Sequence, residues 1–347
     1  MSLNSVTSKA LCRNSFALAL RKLPTAHRPL LTIFILLLTA HCLSLNASAQ
    51  SPEPVDVVKV DTDLVNLNVS IFNKTPRNLA SLAQKDFSVL DNGAPQEISF
   101  FASGESPFDL VLLLDLSGST VKKIEMIRKS AKRFVDATRP EDRIAVVTFS
   151  ADVHVVSKLT DDRVTLKNNI DSIEKPRGGT NFWDALMFVL DHVAIQSRLE
   201  HRRSAVVVMT DGIDNALPNV YGDGSKTTFD SLIENVRRLD TIVVPVYLDT
   251  EKEANLSSTP LSAYAIAREQ LEMLASESGH TVYRAAKLKD LDKVYATVVR
   301  DLGTVYSIGY RPANRQREGA WHTVTLRLVD HPELEARTKR GYYETKQ

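Results

Sequence analysis

Residues 110–119 read Leu110-Val111-Leu112-Leu113-Leu114-Asp115-Leu116-Ser117-Gly118-Ser119: five apolar residues without a break, then an acid, then two serines two positions apart. A run with no polar face predicts a strand covered on both sides, as in a parallel sheet. The change to Asp, Ser and Gly marks the strand end and a loop. Outward from this strand, Ile124, Ile127, Ala131, Phe134 and Val135 recur at helical spacing. Three more buried-strand runs follow, at Ile144–Val147, Ala205–Met209 and Ile242–Val246. Helical patterns lie at Phe182–Ile195, Phe229–Leu239, Arg268–Ala275 and Leu288–Leu302. Strands alternating with helices predict an α/β fold for residues 107–303, a doubly wound, mostly parallel Rossmann-like sheet.

Beyond these bounds the pattern changes to period two. Val65, Leu67, Val69 and Ile71 alternate with polar residues, and Phe87–Leu90 leads through the turn signal Asp91-Asn92-Gly93 to Ile98–Phe100. After Gly303, Tyr306, Ile308 and Tyr310 alternate, as do Val324, Leu326 and Leu328. Two or three strands alone are marginal in water. The segments 50–106 and 304–347 are therefore expected to pair, through residues 55–105, into one small β-sandwich-like domain that holds the α/β unit as an insertion.

The chain has 347 residues, 43 Lys+Arg against 42 Asp+Glu and 43% hydrophobic content, values that exclude a nucleic-acid surface and wholesale disorder. The first 49 residues carry Lys9, Arg13, Arg21, Lys22 and Arg28 and no acid; with these set aside, 38 basic face 42 acidic residues. The basic stretch, the apolar run Leu30–Leu38 and Ala47-Ser48-Ala49 together predict a cleaved signal peptide, hence a periplasmic or secreted protein. The alternative is an uncleaved anchor, but the run falls short of the ~20 residues needed to span a bilayer, and His41 and Cys42 interrupt it. Cys12 and Cys42 both lie in this segment, so the mature chain would have neither disulfide nor thiol nucleophile.

Three short motifs fall at strand ends or helix starts: Asp115-Leu116-Ser117-Gly118-Ser119, Gly178-Gly179-Thr180-Asn181 and Thr210-Asp211-Gly212. In a doubly wound sheet, loops at the carboxyl ends of strands form the ligand crevice. Asp115, Ser117, Ser119, Thr180 and Asp211 would supply two carboxylates and three hydroxyls there. Oxygen ligands suit a hard cation, and so few carboxylates suit Mg²⁺ better than a Ca²⁺ cage, with Mn²⁺ or Ca²⁺ as substitutes. Each residue taken singly could instead serve as a turn or helix-cap residue; so would Asp214 and Asn215, which follow closely.

This constellation resembles the von Willebrand factor type A domain and its metal-ion-dependent adhesion site, D-x-S-x-S with a separate Thr and a separate Asp. The resemblance covers residues 107–303. Asp86–Gly93 and Tyr306–Pro312 also look like bacterial exported proteins related to that family. The resemblance implies that Ser117, Ser119 and Thr180 touch the ion while Asp115 and Asp211 act mainly through waters. It implies a binding function in which a protein partner's acidic side chain completes the metal shell, with no nucleic acid and no membrane unless the N-terminal segment stays uncleaved. A structural module without a partner is one alternative. A phosphohydrolase is another, but Ser117 stands where such enzymes carry a second Asp, and no nucleotide-loop, zinc-protease or nucleophile-elbow motif is present. The long polar stretches 214–226 and 249–262 are expected to rim the ion and choose the partner.

Overall fold

The computed structural model describes residues 64–344 except 74–80, 103, 105, 118–123, 175–177, 195–196, 198–199, 201, 252–258 and 314–318. The expected signal segment with Cys12 and Cys42, and the motif residues Gly118 and Ser119, lie outside the described residues.

The apolar run at 110–114 is strand β5 (Phe108–Asp115), all eight residues of which are buried. It is central in a six-stranded sheet ordered β10-β9-β8-β5-β6-β7. Its neighbours are β6 (Arg143–Phe149) and β8 (Arg203–Thr210), both parallel to it, and β9 (Ile242–Leu248) follows β8. The unbroken hydrophobicity of Leu110–Leu114 within β5 has a direct cause. Leu110, Leu112 and Leu114 enter one core with helices α1 (Ile124–Ala137), α2 (Arg163–Asp171) and α6 (Leu291–Leu302). Val111 and Leu113 enter the other, with α3 (Phe182–Val189), α4 (Phe229–Arg238) and α5 (Leu261–Glu277). Alternate side chains from 110 to 114 thus feed two separate apolar layers, and no position in that run is left for a polar residue.

Two edge strands escape the sequence pattern. Strand β7 (Val153–Thr160) runs antiparallel to β6, and its irregular burial, with exposed His154 and Val155, gives no clean alternation. Strand β10 (Tyr283–Ala285) has three residues, too few to register as a period. The pattern at Phe182–Ile195 reads as one helix, but regular winding ends at Val189 and widens into a π turn over Leu190–Ala194. Leu190 still reaches the same core, so apolar spacing alone does not separate the two windings.

Strands from the two ends of the described chain form two four-stranded sheets, β13-β1-β11-β4 and β14-β12-β2-β3. In the first, β1 (Val65–Asn73) pairs antiparallel with β11 (Tyr306–Tyr310), Leu67 opposite Ile308; β4 (Ile98–Ala102) and β13 (Leu334–Arg337) complete it. In the second, β2 (Phe87–Asp91) pairs with β12 (Trp321–Leu328), Val89 opposite Leu326; β3 (Ala94–Gln96) and β14 (Gly341–Tyr343) flank them. Leu67, Val69, Phe87, Val89, Ile308 and Tyr310 share one apolar cluster, so the sheets face each other.

Two arginines hold the chain where it crosses between these layers and the α/β unit. Arg203 is buried, stacks on Phe108 at 4.2 Å, and donates to the carbonyls of Gly104, Ser106 and Val305. Arg139 donates to those of Gly104 and Gly303. Among the described residues no helix is long and apolar enough to cross a membrane.

Candidate metal centre

In chain order the sheet runs outward from β5 in both directions, to β6 on one side and β8 on the other, so the strand order reverses beside the end of β5. Ligand crevices open at such a reversal, because the connections on its two sides leave toward opposite faces. Asp115 is the last residue of β5 and Thr210 the last of β8.

Asp115 is fully buried. One carboxylate oxygen accepts from the Ser117 amide at 2.8 Å, which turns the chain off the strand end; the other accepts from the Thr210 hydroxyl at 2.7 Å. Thr210 Oγ1 in turn accepts from the Gly212 amide at 2.8 Å, fixing the direction in which the next loop leaves. Asp211, also buried, accepts from the Ile213 amide at 3.2 Å and the Thr250 hydroxyl at 2.8 Å. Burial lifts the Asp115 carboxyl to about 7, and the charge of Asp211 adds to the rise; the hydroxyls of Thr210 and Ser117 act against it.

The third motif precedes α3. The Asn181 amide donates to the Ser150 carbonyl at 2.8 Å and its side chain to the Ala151 carbonyl at 2.9 Å, tying the Gly-Gly-Thr turn to the loop after β6. The Thr180 carbonyl accepts from the Asn215 amide at 2.9 Å, and the Thr180 amide donates to Asn215 Oδ1 at 3.1 Å. Thr180 and Ser117 are both buried.

Asp115, Ser117 and Asp211 thus meet at the ends of β5 and β8, while Thr180 is fastened to the loop that leaves Asp211; Ser119 lies outside the described residues. Among the described residues no three His, Cys, Asp or Glu side chains gather as a metal cluster. The donor set is two carboxylates with hydroxyls, and it suits a small hard cation. Two buried carboxylates, one of them raised by the charge of the other, are what a divalent cation would neutralise, so the residues present fit one.

The tasks of three participants at the centre were not legible beforehand. Thr210 ends the run Val206-Val207-Val208-Met209, and a lone hydroxyl closing an apolar strand was the available signal. Thr250, after β9, carries no local motif. Asn215 matches its expected turn role and in addition joins two loops. Asp214 is fully buried and accepts from the amides of Trp183, Ala216 and Ser225 and from the Ser225 hydroxyl, so it organises the loop.

A family model described as von Willebrand factor type A domain matches residues 109–297, just over half of the chain. Among solved structures, the chain is similar to proximal thread matrix protein 1 from the mussel byssus, in a form with a zinc-occupied MIDAS motif. The identity is 19%, the TM-score 0.46, and the match covers 62% of this chain and 50% of that one. It is similar to BatB from Bacteroides thetaiotaomicron (14% identity, TM-score 0.42, 56% of this chain and 98% of that one). It is also similar to the vWF domain of the type V pili tip protein Mfa5 from Porphyromonas gingivalis (13%, TM-score 0.40, 57% and 95%). The chain thus spans about half the length of the mussel protein.

Proposed function

The chain belongs to the von Willebrand factor type A domain family, and from that premise we propose that it is an exported, metal-ion-dependent protein-binding module without catalytic activity of its own. The observation that carries the proposal is the meeting of Asp115 and Asp211, buried at the ends of adjacent parallel strands, with the Asp115 carboxyl lifted by burial and by its neighbour's charge. Two carboxylates buried together carry a charge cost that a bound cation would offset. Asp115, Ser117, Ser119, Thr180 and Asp211 would hold Mg²⁺, with Mn²⁺ or Ca²⁺ as substitutes. When bound, the ion offers a coordination position that an acidic side chain of a partner protein can fill.

The chain's own residues then have distinct tasks. The Thr210 hydroxyl orients Asp115, the Thr250 hydroxyl orients Asp211, and Asn215 fixes the Thr180 backbone. The basic segment before the apolar run at Leu30–Leu38 supports export to the periplasm or beyond. We read residues 107–303 as the binding domain, inserted into a β-sandwich made by 50–106 and 304–347. A non-catalytic reading agrees with the donor set, which holds no histidine and no second acid two residues after Asp115.

The test is capture from cell-envelope extract by the immobilised full chain in Mg²⁺ and in EDTA. A partner retained in Mg²⁺, released by EDTA and lost from Asp211→Ala is the expected result. A partner held equally in EDTA contradicts the metal-dependent reading.

A further inference from the structure

The loop joining β8 to α4 is long, yet it is braced at both ends. Asp214 ties its start to its end through the Ser225 amide at 3.0 Å and the Ser225 hydroxyl at 2.6 Å. The Asp184 carboxylate of α3 accepts from the amides of Lys226 and Thr227, at 2.9 and 2.8 Å. Val220 packs against the apolar core on this side of the sheet. In the middle, Asn215 Nδ2 donates to the Tyr221 carbonyl at 2.8 Å, while Oδ1 of the same amide accepts from the Thr180 amide at 3.1 Å. One side chain therefore spans from a residue of the candidate centre to the backbone of Tyr221.

The space for that amide exists because glycines surround it. A Cβ at Gly179 would come within 2.5 Å of Asn215 Nδ2, and a Cβ at Gly222 would overlap the same atom. Gly222 also sits at φ +112°, a conformation other residues rarely adopt. The fold thus accepts glycine at both positions and holds Tyr221 at a defined place beside the centre.

What the loop displays is a tyrosine ring 81% exposed, with the exposed carboxylate of Asp223 two residues on. Its backbone is held by the Asn215 amide, and a tyrosine side chain with only two rotatable bonds loses little conformational freedom on contact, which makes such residues effective anchors. The adjacent negative charge selects the chemistry of the contact. Burying Asp223 under an apolar side chain would strip a carboxylate of water without return. A guanidinium or ammonium group can lie on the ring face and pair with the carboxylate together.

We propose that the 214–225 loop is a specificity arm, on which Tyr221 and Asp223 receive an arginine or lysine side chain of the partner, next to the partner's acidic residue at the metal. This rests on the metal-dependent reading above and adds to it the second half of the recognition. The partner is a protein segment with an acid and a base close together, and Asn215 is the positioning residue that sets their separation.

The probe is a set of acetylated Gly/Ser nonapeptides with a central aspartate and one arginine placed one to four residues away, each paired with its citrulline twin, which keeps shape and removes charge. Binding to the full chain is read by fluorescence anisotropy in saturating Mg²⁺, alongside Mg²⁺ titration calorimetry. The expected result is that at one spacing the arginine peptide binds about fivefold to tenfold tighter than its twin, from a cation–π contact plus an exposed ion pair. Tyr221→Ala and Asp223→Asn each reduce that preference, and Tyr221→Phe retains it. Because the ring is exposed, thermal melting of Tyr221→Ala should match the wild type. Equal affinity within every pair, including no measurable binding by either member, overturns the specificity arm while leaving Mg²⁺ uptake intact. Absence of Mg²⁺ uptake by the wild-type chain overturns the metal reading and this proposal with it.

Discussion

Replacing Asp115 by asparagine separates what the carboxylate costs the metal-free fold from what it gains with a cation. The side chain is fully buried, and burial followed by the charge of Asp211 lifts it from 3.8 to about 7. A pKa unit corresponds to about 1.4 kcal/mol, so keeping the ionised form inside the metal-free fold costs at most about 4 kcal/mol. The folded value lies above the unfolded one. The metal-free fold therefore gains stability as pH falls from about 7 toward 3.8, and carries the full cost above 7. Asparagine removes the charge but has one acceptor oxygen where the carboxylate serves both Ser117 and Thr210, a loss of about 1–2 kcal/mol. The balance predicts that, in EDTA at pH 8, Asp115→Asn is about 2 kcal/mol more stable than the wild type. Saturating Mg²⁺ should stabilise the wild type by mass action and leave the variant unchanged. Urea unfolding of both proteins, with EDTA and with Mg²⁺, reads all four values. A variant less stable than the wild type in EDTA would refute the reasoning, because the carboxylate would then be a net asset without any cation.

Two further outcomes are expected. Burial pushes His280, packed edge-on against Phe72, down to about 4, so the fold holds it neutral. Stability it provides above pH 6.5 should be lost as pH falls from 6.5 toward 4, by at most about 3 kcal/mol, and His280→Asn should flatten that part of the urea-midpoint profile; an unchanged profile would contradict the assignment. Arg203→Met should leave the Ser106 and Val305 carbonyls without their donor while Arg139 still holds Gly104. Two orphaned carbonyls cost about 2–6 kcal/mol, and relief of a buried guanidinium whose pKa falls to about 10 offsets roughly 3, so a net loss of about 1 kcal/mol is expected in urea unfolding.

Much of the fold was legible because the apolar runs have one physical explanation. A strand such as Leu110–Leu114 that supplies two cores leaves little room for a polar residue, and the helices between such strands keep a clear apolar face. Edge strands lack that constraint, which is why β7 and β10 passed unread. In the outer sheets, alternation at Val65–Ile71 and Tyr306–Tyr310 marks strands with one wet face, but the pairing of Leu67 with Ile308 crosses more than two hundred residues and is visible only in three dimensions. The candidate centre divides in the same way. Asp115 and Asp211 stand out locally, each as an acid closing an apolar run. The tasks of Thr210, Thr250 and Asn215 depend on which loop lies opposite, and no spacing in the chain encodes that.

The most direct test of the account is Mg²⁺ titration calorimetry on the full chain and on Asp211→Ala at pH 7.5. Asp211 contributes a carboxylate at the end of β8 and little to core packing, so the variant should fold as the wild type does. The account predicts one Mg²⁺ bound per wild-type chain and none by the variant. No uptake by the wild type, or equal uptake by a folded variant, would contradict it.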